Sequence, residues 1–420
     1  MSLALEKPSV STDSAPKINA AAACNYQIEP IVSVIIPAYN AAAFIAQTLE
    51  SVLTQTYQNL EVLVIDDGSQ DETPRIVQRY MQQDHRVRLL RQSNSGVAAA
   101  RNLGIKSARG QFIAPIDADD IWYPEALSKL VFEFEAANYN TGVVYAWSVD
   151  IDEQGRPTGG FHAAMVSGDV HKTLICHNFL GNASSTLIRK SYLEQVAGYS
   201  TFLQAQNAQG CEDWDLYLRL AEVCEFRAVP EFLVGYRKLK SSMSGNLSRM
   251  AQSHQIMVDQ AKLRCPHVPE FLYRLSSSSF YLYLAQQSHC SGQSKETLWW
   301  LMRAIKVDPV TPFIRASLYI LAIKNLAKPG IRRLLASRFT PMGMDYVQYV
   351  IKRFTHSQQA QHSSASLKNT PSDIDASLAI DKRVVRLKVF VSSMLHYIVK
   401  FGTYDFSNSR VSEKPSFSRL

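Results

Sequence analysis

No stretch of 18 uninterrupted apolar residues occurs in this 420-residue chain, so no membrane-spanning helix is expected. The two closest stretches, 316–327 and 389–399, are too short and carry polar residues, which leaves only peripheral membrane contact. Gly-x-Gly-x-x-Gly and the P-loop lysine motif are both missing after any strand-like run, so dinucleotide oxidoreduction and ATP hydrolysis lack support. The six cysteines, Cys24, Cys176, Cys211, Cys224, Cys265 and Cys290, form no CxxC pair and no zinc-like cluster with histidine. Reduced thiols in a cytoplasmic protein are the expectation. The lone histidines His85, His162, His171, His177 and His254 have no ligand partner at helical spacing. The Ala/Ser/Pro-rich start lacks the apolar core of a signal peptide behind a basic segment and is expected to be disordered over residues 1–30.

Charge is divided unevenly. Residues 1–250 carry 21 Lys and Arg against 27 Asp and Glu, a net of −6, and residues 251–420 carry 23 against 10, a net of +13. The two sum to the +7 of the whole chain. A basic half of this kind suits an anionic membrane surface or an anionic acceptor.

Apolar runs alternate with helical patterns through the acidic half. Val32–Ile36, Glu61–Ile65, Val87–Leu90, Phe112–Ile116 and Gly142–Trp147 read as strands. Amphipathic helices are expected around Ile45–Leu53, Ile76–Met81, Val97–Ala108 and from Pro124 onward. Strands alternating with helices predict an α/β unit with a mostly parallel central sheet over residues 31–250. From about Ala251 only helical patterns follow, among them Phe280–Ala285, Glu296–Val307 and Thr311–Leu326, predicting an α-helical domain over 251–356. The stretch from Tyr283 to Pro309 faintly resembles one tetratricopeptide unit, but no second copy is found and an ordinary helical region is favoured. A flexible Ser/Gln/His/Ala-rich linker is expected over 357–380, then a basic helix and tail over 381–420.

Two acidic clusters stand where strand patterns end. One is Asp66-Asp67-Gly68-Ser69, and the other is Asp117-Ala118-Asp119-Asp120. Ligands of open α/β sheets sit at the carboxyl ends of the strands. Carboxylates gathered there repel one another unless something cationic neutralises them, and a divalent metal carrying a diphosphate does so. The pattern points to chemistry on a nucleotide-activated compound.

These clusters, together with Val32–Asn40, Asn94-Ser95-Gly96, Ala100-Arg101-Asn102 and Glu212-Asp213-Trp214, occur in the order of family 2 glycosyltransferases, which the chain resembles over about residues 31–245. The resemblance implies a GT-A fold followed by an α-helical C-terminal region. It also implies metal-dependent transfer of a sugar, with inversion, from a nucleotide-sugar (a UDP-sugar foremost) to an acceptor hydroxyl. By this resemblance Pro37, Ala38 and Tyr39 lie at the donor's base and ribose. Asp67 hydrogen-bonds the base and Asp66 supports the turn, although either could instead cap the helix starting near Asp71. Asn94, Gly96 and Arg101 belong to a donor loop, Arg101 pairing either with phosphate or with the acidic cluster. Asp117, Asp119 and Asp120 hold Mg²⁺ or Mn²⁺ and the ribose in a division left open. Asp213 is the expected base, kept ionised at a helix N-terminus, with Glu212 beside it.

Less specific likenesses join Gly181-Asn182-Ala183-Ser184-Ser185 to an acceptor-side loop, and Tyr236-Arg237 with Ser242-Met243-Ser244 to a closing segment. Relatives often carry a His in that segment, where this chain has Lys238 and Lys240, and Arg237 could equally be a surface charge. The expected acceptor is a glycan or lipid-linked intermediate of surface polysaccharide or glycolipid assembly, with no nucleic-acid partner. The expected location is cytoplasmic, peripheral to the inner face of the plasma membrane. The alternative is a catalytically inactive glycan-binding or scaffold protein of the same fold.

Overall fold

The computed structural model describes residues 31–239, 246–310, 312, 315–326 and 382–401. The expected lead at 1–30, the linker at 357–380, Lys240, Ser242-Met243-Ser244 and the tail after 401 lie outside the described residues.

The strand β1 (Val32–Ala38) and its parallel neighbour β2 (Leu60–Asp66) are buried at all seven positions each. Strands covered on both faces read as continuous apolar runs, which is how both appear in the sequence. β3 (Val87–Arg91) flanks β2 and β4 (Phe112–Pro115) flanks β1, both in parallel, so the first four strands lie side by side as 3-2-1-4. The sheet then continues through β8 (Thr186–Arg189), β6 (Thr141–Ile151), β9 (Glu225–Arg237) and β5 (Ile121–Trp122), with β7 (Pro157–His162) hairpinned onto β6. β8 runs antiparallel to both its neighbours, whereas β6 and β9 are parallel to each other. The α/β class expected from the sequence is present, with a helical C-terminal region after it. β5, β7, β8 and β9 were not anticipated. Most of them are short or end in turns, and none carries the long apolar signature of β1 and β2.

Helices cover both faces. On one, α1 (Ile45–Leu53) buries Ile45, Leu49 and Val52 at one-turn spacing, and α4 (Ala126–Glu135) buries Leu127, Leu130, Val131 and Phe134. α2 (Thr73–Gln83) joins that side. The opposite face takes α3 (Gly96–Ser107), α5 (His171–Cys176) and α8 (Glu212–Ala221), with the short α6 (Lys190–Gln195) and α7 (Phe202–Ala205) nearby.

The core of that second face does not stop at the sheet. Ile35, Leu63 and Trp214 belong to the same buried cluster as Met257, Tyr273, Phe280 and Trp300. These last come from α9 (Leu247–Arg264), α10 (Glu270–Cys290) and α11 (Ser294–Val307), and α12 (Ala316–Leu326) adds Leu318 and Leu321. The expected boundary at residue 250 falls inside α9. A final helix, α13 (Lys382–Phe401), packs on α5 and β7. Among the described residues no helix is long and apolar enough to cross a membrane. Their cysteines are all free, with Cys290 the exposed one.

Candidate active site

The parallel strands bring Ala38, Asp66 and Pro115 to neighbouring carboxyl ends, because β1 pairs Ala38 with Asp66 and Ile35 with Pro115. Sequence-predicted residues from three distant segments meet at that edge. Pro37 and Ala38 are buried in β1, whereas Tyr39 just beyond is half exposed, with its ring open to solvent. Asn40 follows with a φ of 49°, and its own amide donates to Ser69 Oγ while its side chain accepts from the Gln70 amide. The β1 exit is therefore stitched to the Asp66–Ser69 turn.

Both aspartates of that turn have internal partners. Asp66 is fully buried, accepts from the Ser69 amide at 2.9 Å, and pairs with Arg91 Nε at 2.9 Å. Asp67 accepts from Gln92 Nε2 at 2.7 Å and from the Ser95 and Gly96 amides, each at 2.8 Å. Asp67 thus caps α3, since orphan amides at a helix start need an acceptor. The helix near Asp71 has its own acceptor, for Asp71 Oδ1 takes the Thr73 amide. Capping by Asp67 was an open alternative in the sequence, but the capped helix is a different one. What Asp67 holds in place is the loop of Asn94 and Gly96, with Asn94 exposed.

Arg101, on α3, is the centre of the site. It is 3 % exposed, its Nη1 donates to Asp213 Oδ1 at 2.6 Å, and its Nη2 donates to Asp117 Oδ1 at 2.5 Å. Of the two readings the sequence left open, the guanidinium takes the acidic one. One buried cation thereby joins the strand-end cluster to the head of α8. The next residue, Asn102, reads the backbone of Tyr199 with both ends of its amide at 2.8 Å. Tyr199 is set beneath the guanidinium, 5.0 Å from its ring centroid, and its buried hydroxyl lacks a protein partner.

The three carboxylates of the second cluster separate into two environments. Asp117 and Asp119 are partly exposed. Asp120 is fully buried, accepts from the Arg237 amide at 2.8 Å, and has Ser184 Oγ at 2.5 Å from its other oxygen. With one hydrogen bond to each oxygen, Asp120 ties the acidic cluster to Ser184 and to the end of β9, whereas Asp117 and Asp119 are less buried. Ser184 also accepts from the Asp117 amide, so the Gly181–Ser185 loop is anchored to the acidic cluster.

Arg237 is corrected from a possible surface charge. It is 2 % exposed, and its side chain donates to the carbonyls of Asp119, Asp152 and Glu153 and to Gln47 Oε1. Its cationic head lies 4.8 Å from the Phe44 ring centroid. Sequence reasoning could not find this role, since a lone arginine at a strand end has no local pattern.

The electrostatics follow from burial and crowding. Burial pushes Asp213 up to about 6, with Arg101 opposing and the charges of Asp117 and Glu212 adding. Asp119 is raised to about 6 by burial and then by Asp117. Glu212 is raised by burial, and its Oε1 is buried without a protein partner while Oε2 accepts from the Gly210 amide. Five carboxylates (Asp117, Asp119, Asp120, Glu212, Asp213) thus share two buried guanidiniums. Even with the Lys238 ammonium near Asp120 counted, that deficit of positive charge fits a cation at the partly exposed pair Asp117 and Asp119, whose hard oxygens suit Mg²⁺ or Mn²⁺. Three side chains do not converge on a single point there. Among the described residues the one such convergence is His171, Glu222 and Cys265, where Arg264 Nε already pairs with Glu222 at 2.9 Å. A metal at Asp117 and Asp119 therefore needs further oxygens from a ligand, as diphosphates supply.

Residues 33–196 match the family model described as glycosyl transferase family 2. Chondroitin synthase from Escherichia coli is 32 % identical over 203 residues, covering 48 % of this chain and 28 % of that protein. The glycosyltransferase GlyG of Streptococcus pneumoniae is 46 % identical over 92 residues, 22 % of this chain and 31 % of that one. The chain therefore matches less than a third of the length of either curated relative. Among solved structures, Staphylococcus aureus TarS superposes with a TM-score of 0.47 at 17 % identity, over 70 % of this chain and 53 % of that one.

Proposed function

Residues 33–196 of this chain belong to glycosyl transferase family 2, and from that premise we propose that the protein is an inverting, metal-dependent glycosyltransferase. The carrying observation is the double ion pair of Arg101, which sets the candidate base Asp213 beside the candidate donor-binding Asp117. Transfer with inversion needs a base near the attacking hydroxyl on one side and stabilised diphosphate on the other. Two carboxylates held across one guanidinium supply both stations.

In the reaction Asp213 Oδ2, the oxygen not engaged by Arg101, takes the proton of the acceptor hydroxyl. The acceptor oxygen bonds to the anomeric carbon as the bond from that carbon to the diphosphate oxygen breaks. Asp117 and Asp119 would hold a Mg²⁺ or Mn²⁺ ion, which would supply positive charge for the departing nucleoside diphosphate. Arg101 keeps Asp213 ionised and oriented, and Asp120, Ser184 and Arg237 fix the loop that presents Asp119. Tyr39 offers a half-exposed ring to the base of the donor, with Pro37 and Ala38 forming the strand edge under it. Asp66 and Asp67 act through the backbone, shaping the turn and the Asn94–Gly96 loop against the donor. A UDP-sugar donor and a glycan or lipid-linked acceptor complete the reading. The chondroitin synthases among the relatives favour a glycan acceptor.

The test is a calorimetric panel of UDP-, GDP- and dTDP-sugars with Mn²⁺ on the native protein and on Asp119→Ala. Binding of one donor that requires the metal and disappears in the variant supports the reading. No binding by any donor to the folded protein would overturn it in favour of a glycan-binding scaffold.

A further inference from the structure

α13 is apolar on two opposite faces. On one, Val384, Val385 and Val389 pack with Val149, Ile151 and Phe161, while Lys388 Nζ donates to the Phe161 carbonyl at 2.9 Å. Farther along, His396 Nδ1 lies 2.7 Å from Thr173 Oγ1. These contacts seat the helix on β7 and α5. On the other face Leu387, Phe390, Val391 and Met394 recur at i, i+3, i+4 and i+7, and each is 45–60 % exposed. A contiguous exposed apolar stripe marks an interaction surface, so this one calls for a covering.

The charge of the same helix indicates what covers it. Lys382–Phe401 contains five Lys or Arg residues and no Asp or Glu, and Arg386 is exposed beside the stripe. A second copy of the helix would bring two such basic segments together. An acidic, apolar-accepting surface meets both demands, and a bilayer with anionic headgroups is one. Amphipathic helices with basic flanks and Phe or Leu on the inner face lie in the headgroup boundary in this way.

We infer that the exposed face of α13 docks the protein on an anionic lipid surface, with Phe390 and Met394 entering the headgroup boundary and Leu387 and Val391 at the margin of the stripe, toward the body of the protein. A cavity of about 390 Å³ opens between Leu387 and Val391 on the helix and His162 and His177 beneath it. A Cβ on Gly181 would press on the His162 ring, so this wall is shared with the loop whose Ser184 binds Asp120.

The experiment is co-sedimentation of the full-length protein with vesicles of phosphatidylcholine alone or mixed with phosphatidylglycerol. Binding to the anionic vesicles is expected, weaker at high salt because headgroup attraction is screened. Phe390→Asp with Met394→Asp should weaken it by about tenfold or more, and Arg386→Gln should weaken anionic binding alone. Phe390→Ser serves where the double variant does not fold, with thermal melting reporting the fold of each. Absent vesicle binding, or binding indifferent to the stripe substitutions, would overturn the inference. So would a dimer of the native protein, seen by light scattering, that the same substitutions dissolve without any lipid contact. Vesicle binding is read without donor or turnover, so this inference fails or stands separately from the proposed reaction.

Discussion

Arg101 and Asp213 lie 112 positions apart in the sequence and are joined by a 2.6 Å hydrogen bond from Nη1 to Oδ1. The opposite tine of the same guanidinium holds Asp117. Removing the cation leaves two carboxylates facing each other in a buried site, a situation that typically costs about 3–5 kcal/mol. Arg101→Ala is therefore expected to lower melting temperature and to abolish turnover. Arg101→Lys should not restore activity, because one ammonium does not reproduce a planar fork. Thermal melts alongside turnover with an excess of donor would check both.

The raised carboxyl of Asp213 sets a pH profile. A base works only when ionised, and burial places its titration at about 6. With metal saturating, so that Asp119 is held ionised, the logarithm of kcat/KM should fall with unit slope as pH drops below about 6 and level off above about 7. Asp213→Asn should reduce kcat by about 10²–10⁴-fold and leave the donor's Kd nearly unchanged. A flat profile between pH 5 and 7 for the native protein would remove Asp213 from the base role (pH values set about one unit either side of the expected inflection).

Asp119 and Asp120 should separate cleanly in mutagenesis. Asp119 titrates at about 6 in the fold against 3.8 in its ordinary state, so it favours the folded protein when protonated. That contribution is fully present below about pH 4 and is lost as pH rises through about 6. Without metal, Asp119→Asn should therefore melt higher than the native protein near neutral pH, with the difference vanishing near pH 4. Asp120→Ala strips partners from Ser184 and the Arg237 amide, and should cost about 2–4 kcal/mol of stability. Calorimetric melts across that pH range distinguish the two.

Gly96 has a φ of +81°, and a Cβ there would overlap the Gln204 carboxamide. Gly96→Ala should cost about 1–3 kcal/mol and displace the loop that Asp67 caps. Weaker donor binding with an unchanged inflection in the pH profile is the expected signature, read by calorimetry and kinetics together.

Deleting residues 251–420 should give an insoluble product and not a free-standing catalytic domain. Trp214 of α8 packs on His254 and Phe280, with ring centroids 5.1 and 6.1 Å away. Truncation would expose that face of the core. A soluble, cooperatively melting fragment would show that the sheet carries its own core.

The amino-acid order by itself determined the parallel strands and the acidic clusters at their ends. Strands such as Val32–Ala38 are buried on both faces and so must be written as unbroken apolar runs, and a turn must follow them. Local pattern also placed Asp213 at the start of a helix, where Glu212, Asp213 and Asp215 crowd the first turn. What tertiary structure alone decided is which charges meet. Asp67 caps the helix at Gly96 and not the one near Asp71, because β2 and β3 pair in parallel and bring residues 66–67 beside 91–96. Asp119 and Asp120 are adjacent in the chain, yet one stays partly exposed and the other is sealed against Ser184 and Arg237, more than 60 and 110 positions later. Burial and long-range pairing set those fates, and neither leaves a periodic trace in the sequence.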